Sequence, residues 1–169
     1  KENTTWNEKD FTTDGDTITG LSEAGKAKLA VNPNLKLPAV VNGTAIKKIG
    51  TGAFAPAKTG GNPINSVVIP EGVTEIGQAA FSGQNLKSLE LPKSVKKVGK
   101  MAFSGAPLEN VKFSEGLESI GDNAFEGHKL TKVKLPDSLK DIGRSVFKSR
   151  SQERASIKEV ELGKSLQSI

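Results

Sequence analysis

The 169-residue chain has no cysteine and no tyrosine, and only one tryptophan, one histidine and one methionine. The missing cysteine excludes disulfides and thiolate metal sites. The single histidine, His128, has no second histidine or cysteine with which to hold a metal, and no carboxylate recurs beside it to orient it as a base. No G-x-S-x-G, H-E-x-x-H or glycine-rich phosphate loop occurs, so neither an enzyme nor a cofactor is expected. Single-strand nucleic-acid binders stack bases on exposed aromatics, and a chain with so few aromatics is a poor fit to nucleic acid. No apolar run is long enough to insert in a membrane. The excess of one charge is also small: 24 Lys and Arg against 19 Asp and Glu give +5, a mild bias toward anionic partners.

What the chain has is a repeat. The stretch from Leu86 to Pro107, LKSLELPKSVKKVGKMAFSGAP, recurs before and after itself, and its phenylalanines fall at Phe54, Phe81, Phe103, Phe125 and Phe147, with steps of 27, 22, 22 and 22. Self-similarity at such a period is the mark of a solenoid. Within the unit, Leu86, Leu89, Leu91, Pro92, Val95, Val98, Gly99, Ala102 and Phe103 correspond to Leu130, Val133, Leu135, Pro136, Leu139, Ile142, Gly143, Val146 and Phe147. The L-x-x-[LV]-x-[LF] segment alternates apolar and polar residues, as a half-buried strand does. Stacked copies then form a parallel ladder with rungs about 4.8 Å apart. One unit cannot fold alone, because a few buried apolar side chains do not offset the ordering of the whole backbone; stacking supplies the remainder. The recurring Gly50, Gly77, Gly99, Gly121 and Gly143 are predicted to turn the chain at positive φ. The x-x-A-F segment after each is predicted to be a short 3-10 turn that drops its phenylalanine into a stacked spine.

These residues resemble the BspA-like leucine-rich repeats of bacterial surface proteins, whose units read approximately L-x-x-[LV]-x-L-P-x-S-[LV]-x-x-I-G-x-x-A-F-x-G. The match runs from Leu35 to Ile169. It implies a mainly β, right-handed leucine-rich-repeat solenoid of about five 22-residue repeats with short 3-10 or helical turns. There is no asparagine ladder: Gly72, Ser94, Gly116, Ser138 and Ser165 hold that position. A cysteine that the family often places shortly after A-F is replaced by Gln84, Ala106 and His128. The resemblance implies an extracellular protein, secreted or on a bacterial cell surface, that binds a protein or an anionic polysaccharide or wall polymer of the host or of its own cell. The alternative is a spacer that presents another domain of a longer protein. Cysteine avoidance without a membrane-spanning run fits export from a Gram-positive-type bacterium, although cytosolic proteins can lack cysteine too. Lys1 is not a methionine and Ile169 falls in mid-repeat, so both ends are expected to be processing boundaries.

Taken in order, residues 1–34 form an N-terminal cap and 35–169 one continuous solenoid. Asp14-Gly15-Asp16 lies between the β-favouring Phe11–Thr13 and Thr17–Thr19, which predicts a hairpin. The two aspartates lack the further ligands of a calcium loop and read as a plain turn. Trp6, Phe11, Ile18 and Leu21 are available to cover the first open face, and Ser22–Leu29 is a short helix weakened by Gly25. Asn42-Gly43 predicts a second, protruding hairpin. Ala55 to Pro63, five residues longer than later linkers and holding Gly60-Gly61, is expected to be a mobile surface loop.

Two candidate binding surfaces emerge. The strand face carries Val68, Glu90, Lys112, Lys134 and Glu161 in one row and Ser66, Ser88, Asn110, Lys132 and Glu159 in another. Lys112, Lys132 and Lys134 form a patch that either binds anions or pairs with the glutamates one rung away, and pairing is favoured. The same alternation in Lys96, Glu118 and Lys140 and in Glu71, Lys93 and Glu115 points to pairing along the stack. The second candidate is the insertion at 148–156, where Arg144, Lys148, Arg150, Arg154 and Lys158 gather all three arginines of the chain. Arginine suits bidentate contact with carboxylate, sulfate or phosphate. This loop is expected on the same edge as 55–63, roughly 20 Å away at ladder spacing. His128 is read as a solvated turn residue. The C-terminal strand is read as an open edge that permits weak self-association.

Overall fold

A computed structural model describes residues 4–149 and 157–166. The chain opens with a 3-10 turn, Glu8–Asp10, then a hairpin of β1 (Phe11–Asp14) and β2 (Thr17–Leu21), and helix α1 (Glu23–Val31). The hairpin that Asp14-Gly15-Asp16 predicts is present, with antiparallel pairing. Ser22 caps α1 by accepting a hydrogen bond from the Gly25 N–H at 3.2 Å. Gly25 is there for proximity: a side chain would run into the carbonyl of Asp10. β4 (Val40–Val41) and β5 (Thr44–Ala45) make the second hairpin, turned by Asn42 and Gly43 at φ 49° and 77°.

Five repeats contribute two short strands each, and the described part of the last contributes one. One set, β6 (Lys48–Ile49), β8 (Glu75–Ile76), β10 (Lys97–Val98), β12 (Ser119–Ile120) and β14 (Asp141–Ile142), joins the hairpin in a seven-stranded sheet ordered β1-β2-β6-β8-β10-β12-β14. Every pair after β1–β2 is parallel. Ile18, Ile49, Ile76, Val98, Ile120 and Ile142 stand in register as one buried aliphatic row. β2 therefore serves as the first rung, so the hairpin ends the stack in the geometry of a repeat. The other set, β3 (Asn34–Lys36), β7 (Ser66–Val68), β9 (Ser88–Glu90), β11 (Asn110–Lys112), β13 (Lys132–Lys134) and β15 (Glu159–Glu161), gives six rungs, one more than the five units read from sequence.

The phenylalanine spine is present. Phe54, Phe81, Phe103, Phe125 and Phe147 stack face to face with centroids 5.2, 5.4, 5.4 and 6.0 Å apart. Phe11 lies edge-on against Phe54, and Trp6 packs on Phe11, as their place in the cap predicts.

Two local expectations are corrected. Gly77, Gly99, Gly121 and their equivalents are not at positive φ; the residue two positions later is, at Gly52, Ala79, Met101, Asn123 and Ser145 with φ between 53° and 62°. The glycines are required by close approach of successive repeats. A Cβ on Gly99 would lie 2.9 Å from the backbone of Gly77 and Gln78, and one on Gly121 would lie 2.6 Å from Lys100 N. The A-F segment is likewise no 3-10 run. Ala80 and Ser82 donate to Gly77 and Ala79, three residues back, whereas Ala79, Phe81 and Gly83 donate to Lys100, Ala102 and Ser104 of the next repeat, each at 2.8 Å. Alternate N–H groups thus close the turn and join the stack, which leaves no buried donor idle.

The segment 55–63 is tied down, contrary to the mobile loop expected. It holds a 3-10 turn, Pro56–Lys58, and buries Thr59, whose hydroxyl donates to Asn62 O at 2.8 Å. The Asn62 side chain reaches the Lys26 carbonyl of α1. Gly60 and Gly61 serve the positive φ of this tight turn.

Candidate functional site

The six rungs of the strand face form three separate pairs: β3 with β7, β9 with β11, and β13 with β15. No ladder joins β7 to β9 or β11 to β13. At those two junctions the turn beyond the strand makes the connection instead. Ser94 Oγ accepts from Gly72 N–H at 3.0 Å and donates to Val73 O at 2.7 Å, and Ser138 Oγ does the same with Gly116 N–H and Leu117 O at 2.9 and 2.7 Å. Gly72 and Gly116 have φ of 104° and 114°, which turns their N–H groups toward the serines. The pairing on the strand face therefore repeats every second unit, whereas the seven-stranded sheet repeats every unit. The sequence carries the signal in Glu71-Gly72, Lys93-Ser94, Glu115-Gly116 and Asp137-Ser138, an alternation of glycine and serine that the 22-residue period hides.

Two clefts open on this face. A cleft of about 550 Å³ runs across β7, β9 and β11, lined by Ser66, Val68, Glu71, Ser88, Glu90, Asn110, Lys112 and further strand residues. A second, of about 320 Å³, lies between β11 and β13, lined by Glu109, Asn110, Val111, Lys112, Thr131, Lys132 and Lys134. All three lysines of the predicted patch are exposed and are brought together at this second cleft.

The expected charge pairing exists on the paired rungs. Lys112 Nζ meets Glu90 Oε1 at 3.4 Å and Lys132 Nζ meets Glu159 Oε2 at 3.6 Å. These are exposed pairs, each worth about 0 to 1 kcal/mol. On the other sheet Lys97 pairs with Glu75 at 3.9 Å and Lys100 with Asp122 at 4.0 Å. The contact between Glu71 and Lys93 differs from the expectation: the Glu71 carboxylate accepts the Lys93 backbone N–H at 3.1 Å. Lys96, Glu118 and Lys140 join through backbone bonds, with no ion pair among them within the described residues.

The predicted arginine cluster is described only in part. Arg150 and Arg154 lie outside the described residues, as does most of the 148–156 insertion. Arg144 and Lys148 are exposed after β14; the Arg144 N–H donates to Asp122 Oδ1 at 2.7 Å, and the Lys148 carbonyl accepts from Gly127. Lys158 opens the rung of β15 by donating its backbone N–H to Thr131 O at 2.7 Å, on the strand side of the stack.

His128 is buried and is not the solvated residue expected. Its Nδ1 accepts from the Leu130 N–H at 2.9 Å, so the ring proton resides on Nε2, which donates to Phe147 O at 2.8 Å. Gln84, at the same place two repeats earlier, accepts from Ile64 N–H at 2.9 Å and donates to Phe54 O at 2.6 Å. Gln84 thereby ties both ends of the long 55–63 segment, and His128 ties its own turn to Phe147 of the next repeat. Ala106, at the regular linker between them, is fully buried and needs no such tie. Elsewhere the described residues contain no group of three or more His, Asp or Glu placed to hold a metal ion.

The model of the BspA type leucine rich repeat region matches residues 33–154 in six copies. Among solved structures the chain is similar to a leucine-rich repeat protein from Bacteroides ovatus, at 28% identity and a TM-score of 0.66 over 90% of this chain and 38% of that one. It is similar to the leucine-rich repeat protein of T. pallidum, at 26% identity and a TM-score of 0.62 over 78% of this chain and 58% of that one. The pneumococcal vaccine antigen PcpA shares the fold, at 23% identity and a TM-score of 0.59, over 90% of this chain and 47% of that one. The chain thus spans between 38% and 58% of the length of these three proteins. A search of curated proteins finds no match.

Proposed function

The chain belongs to the BspA type leucine-rich-repeat family, and on that premise we propose that it is a recognition module without catalytic activity, part of a secreted or surface-attached bacterial protein engaged in adhesion. Its partner is a protein or an anionic polysaccharide or wall polymer, of the host or of the cell's own envelope. The observation that carries this reading is the strand face. Six rungs on one buried spine project Asn34, Ser66, Ser88, Asn110, Lys132 and Glu159, with Lys36, Val68, Glu90, Lys112, Lys134 and Glu161 beside them, outward from fixed backbone positions. Such a surface can be matched over a long span by a macromolecule with little ordering cost on the protein's side.

The rival reading is a spacer, and the ion pairs Glu90–Lys112 and Lys132–Glu159 favour it, since they satisfy part of the face without any ligand. A binding screen of the chain against immobilised matrix proteins, glycosaminoglycans and wall polymers separates the two. Wild type is compared with a face-blocked variant carrying Ser88→Glu and Asn110→Glu. Binding that the variant loses supports recognition through the strand face. Equal binding by both moves the site elsewhere, and no binding to any surface is the outcome for a spacer.

A further inference from the structure

We propose that the cleft between β11 and β13 is an anion-binding subsite for a charged sugar unit of a linear polysaccharide, with Lys112 and Lys134 holding the anionic group. The inference rests on the recognition reading above and names the chemistry of its ligand.

The argument starts from a like-charge juxtaposition. Lys112 and Lys134 hold the same position on adjacent rungs, and Asn110 and Lys132 hold the same position two residues earlier. Where the rungs are paired, each of these lysines faces a glutamate in register: Lys112 faces Glu90, Lys132 faces Glu159 and Lys134 faces Glu161. Only across the β11–β13 junction does lysine face lysine, and like charges directly opposite one another destabilise a ladder. That junction is one of the two where no ladder forms.

Charge neutralisation around the cleft is also incomplete. Lys112 leans toward Glu90 on one side, and Lys132 toward Glu159 on the other. Both acids lie a rung away from the opening. Lys134 makes no ion pair among the described residues, although Glu161 stands in register with it. Among the described residues Glu109 is the one carboxylate lining the cleft, and it precedes the strand, at the opposite end from Lys112 and Lys134. Folding gives no reason for this arrangement. An anion placed between the two lysines relieves their repulsion and exchanges exposed ion pairs of small worth for charge-assisted bonds to a ligand.

The remaining lining selects the rest of the ligand. The unpaired edges of β11 and β13 present peptide groups along the cleft, and Asn110, Thr131 and Lys132 add side-chain donors and acceptors beyond the lysine pair. No aromatic ring lines the opening. This composition suits a polar, hydroxyl-bearing unit with one carboxylate, sulfate or phosphate group. The Ser138 bridge to Gly116 and Leu117 holds the two repeats together beyond the strands, so the opening does not depend on a ligand to exist.

The test is retention of the chain on immobilised heparin and on hyaluronan, with neutral dextran as the control surface. Wild type is compared with Lys134→Gln and with Lys140→Gln, which lowers the net charge equally at a site off the cleft. Lys134→Gln is expected to weaken heparin or hyaluronan affinity about tenfold, the loss of one charge-assisted contact. Lys140→Gln should leave affinity near wild type, and both variants should keep the wild-type melting temperature. Equal weakening by the two substitutions would mean that net charge alone is responsible and overturns the subsite, as does binding to dextran that matches heparin. If a matrix protein binds wild type and Lys134→Gln alike while neither glycan is retained, the subsite is refuted and the broader recognition reading stands.

Discussion

Phe54 and Phe147 occupy the same place in their repeats, yet Phe54 is fully buried and Phe147 only partly so. At the N-terminal end Phe11 lies edge-on over Phe54 at 6.4 Å, and Trp6 covers Phe11 in turn. A buried ion pair, Lys28 Nζ to Asp10 Oδ2 at 2.7 Å, locks α1 onto the turn before β1, and Asp10 also accepts from Asn7 N–H. At the C-terminal end Phe113 touches Phe147 edge-on, and His128 bonds its carbonyl, but the last described rung buries little. Val160 and Leu162 are 52% and 57% exposed, while their equivalents Leu89 and Leu91 are 4% and 3% exposed. The residue types are alike; the difference is whether a layer lies on both sides. Burial in a solenoid is therefore a property of the neighbours as much as of the repeat.

The largest effect expected is along the spine. Phe103→Ala should cost about 3 to 5 kcal/mol in chemical denaturation, the range for a large core truncation. Complete burial of Phe54 under Phe11 makes Phe54→Ala comparable with Phe103→Ala. Phe147→Ala should cost least of the three. Losses of the same size at Phe54 and Phe147 would erase the distinction between the two ends.

Next comes the lock of the closed end. Asp10→Ala leaves the Lys28 ammonium, whose side chain is 10% exposed, without its carboxylate, and should cost about 3 kcal/mol. The loss should be local as well. Amide exchange ought to quicken in α1 and β1 before it quickens at Phe103, whose N–H is bonded to Ala124. Uniform acceleration through the whole stack would show instead that cap and repeats unfold as one unit.

Smaller, and set in the middle of the stack, is Gly99→Ala. The added Cβ would sit 2.9 Å from backbone atoms of the preceding turn, which cannot yield as a flexible side chain would. Overpacking of this kind costs about 1 to 3 kcal/mol. Met101→Gly, two residues on, should instead be neutral or slightly stabilising, because Met101 is at φ 55°. If the glycine served the turn and not the approach, the two results would trade places.

That reversal marks what the sequence makes legible and what it does not. The spacing of Phe54 to Phe147 reveals the spine and the strands, because a period in an alternating apolar pattern reports directly on burial. The role of Gly99 is hidden, since a glycine is conserved in position equally well by a positive φ and by a close contact. His128 and Gln84 look like linker residues, and only their equivalence to Ala106, a buried position, would have placed them inside. The alternation of glycine and serine at 72, 94, 116 and 138 was visible as residue types, but its consequence depends on which N–H each turn presents. The pairing Lys112 with Glu90 was legible from strand register, whereas the break between β11 and β13 was not, because a regular period predicts a continuous ladder.

The smallest effect is the sharpest test of the two ends, because it compares one position under two conditions. Leu91 and Leu162 each follow directly on a strand, Leu91 with a N–H bonded to Lys112 O and a side chain inside the core, Leu162 with its side chain mostly in solvent. Leu91→Ala should cost about 2 to 5 kcal/mol. Leu162→Ala removes a side chain that is already more than half exposed and should change stability by no more than about 0.5 kcal/mol. Denaturant midpoints of the two variants, measured at matched and low protein concentration, give the comparison directly. A cost at Leu162 approaching that at Leu91 would mean that the C-terminal rung is covered in solution and that the two ends do not differ in burial.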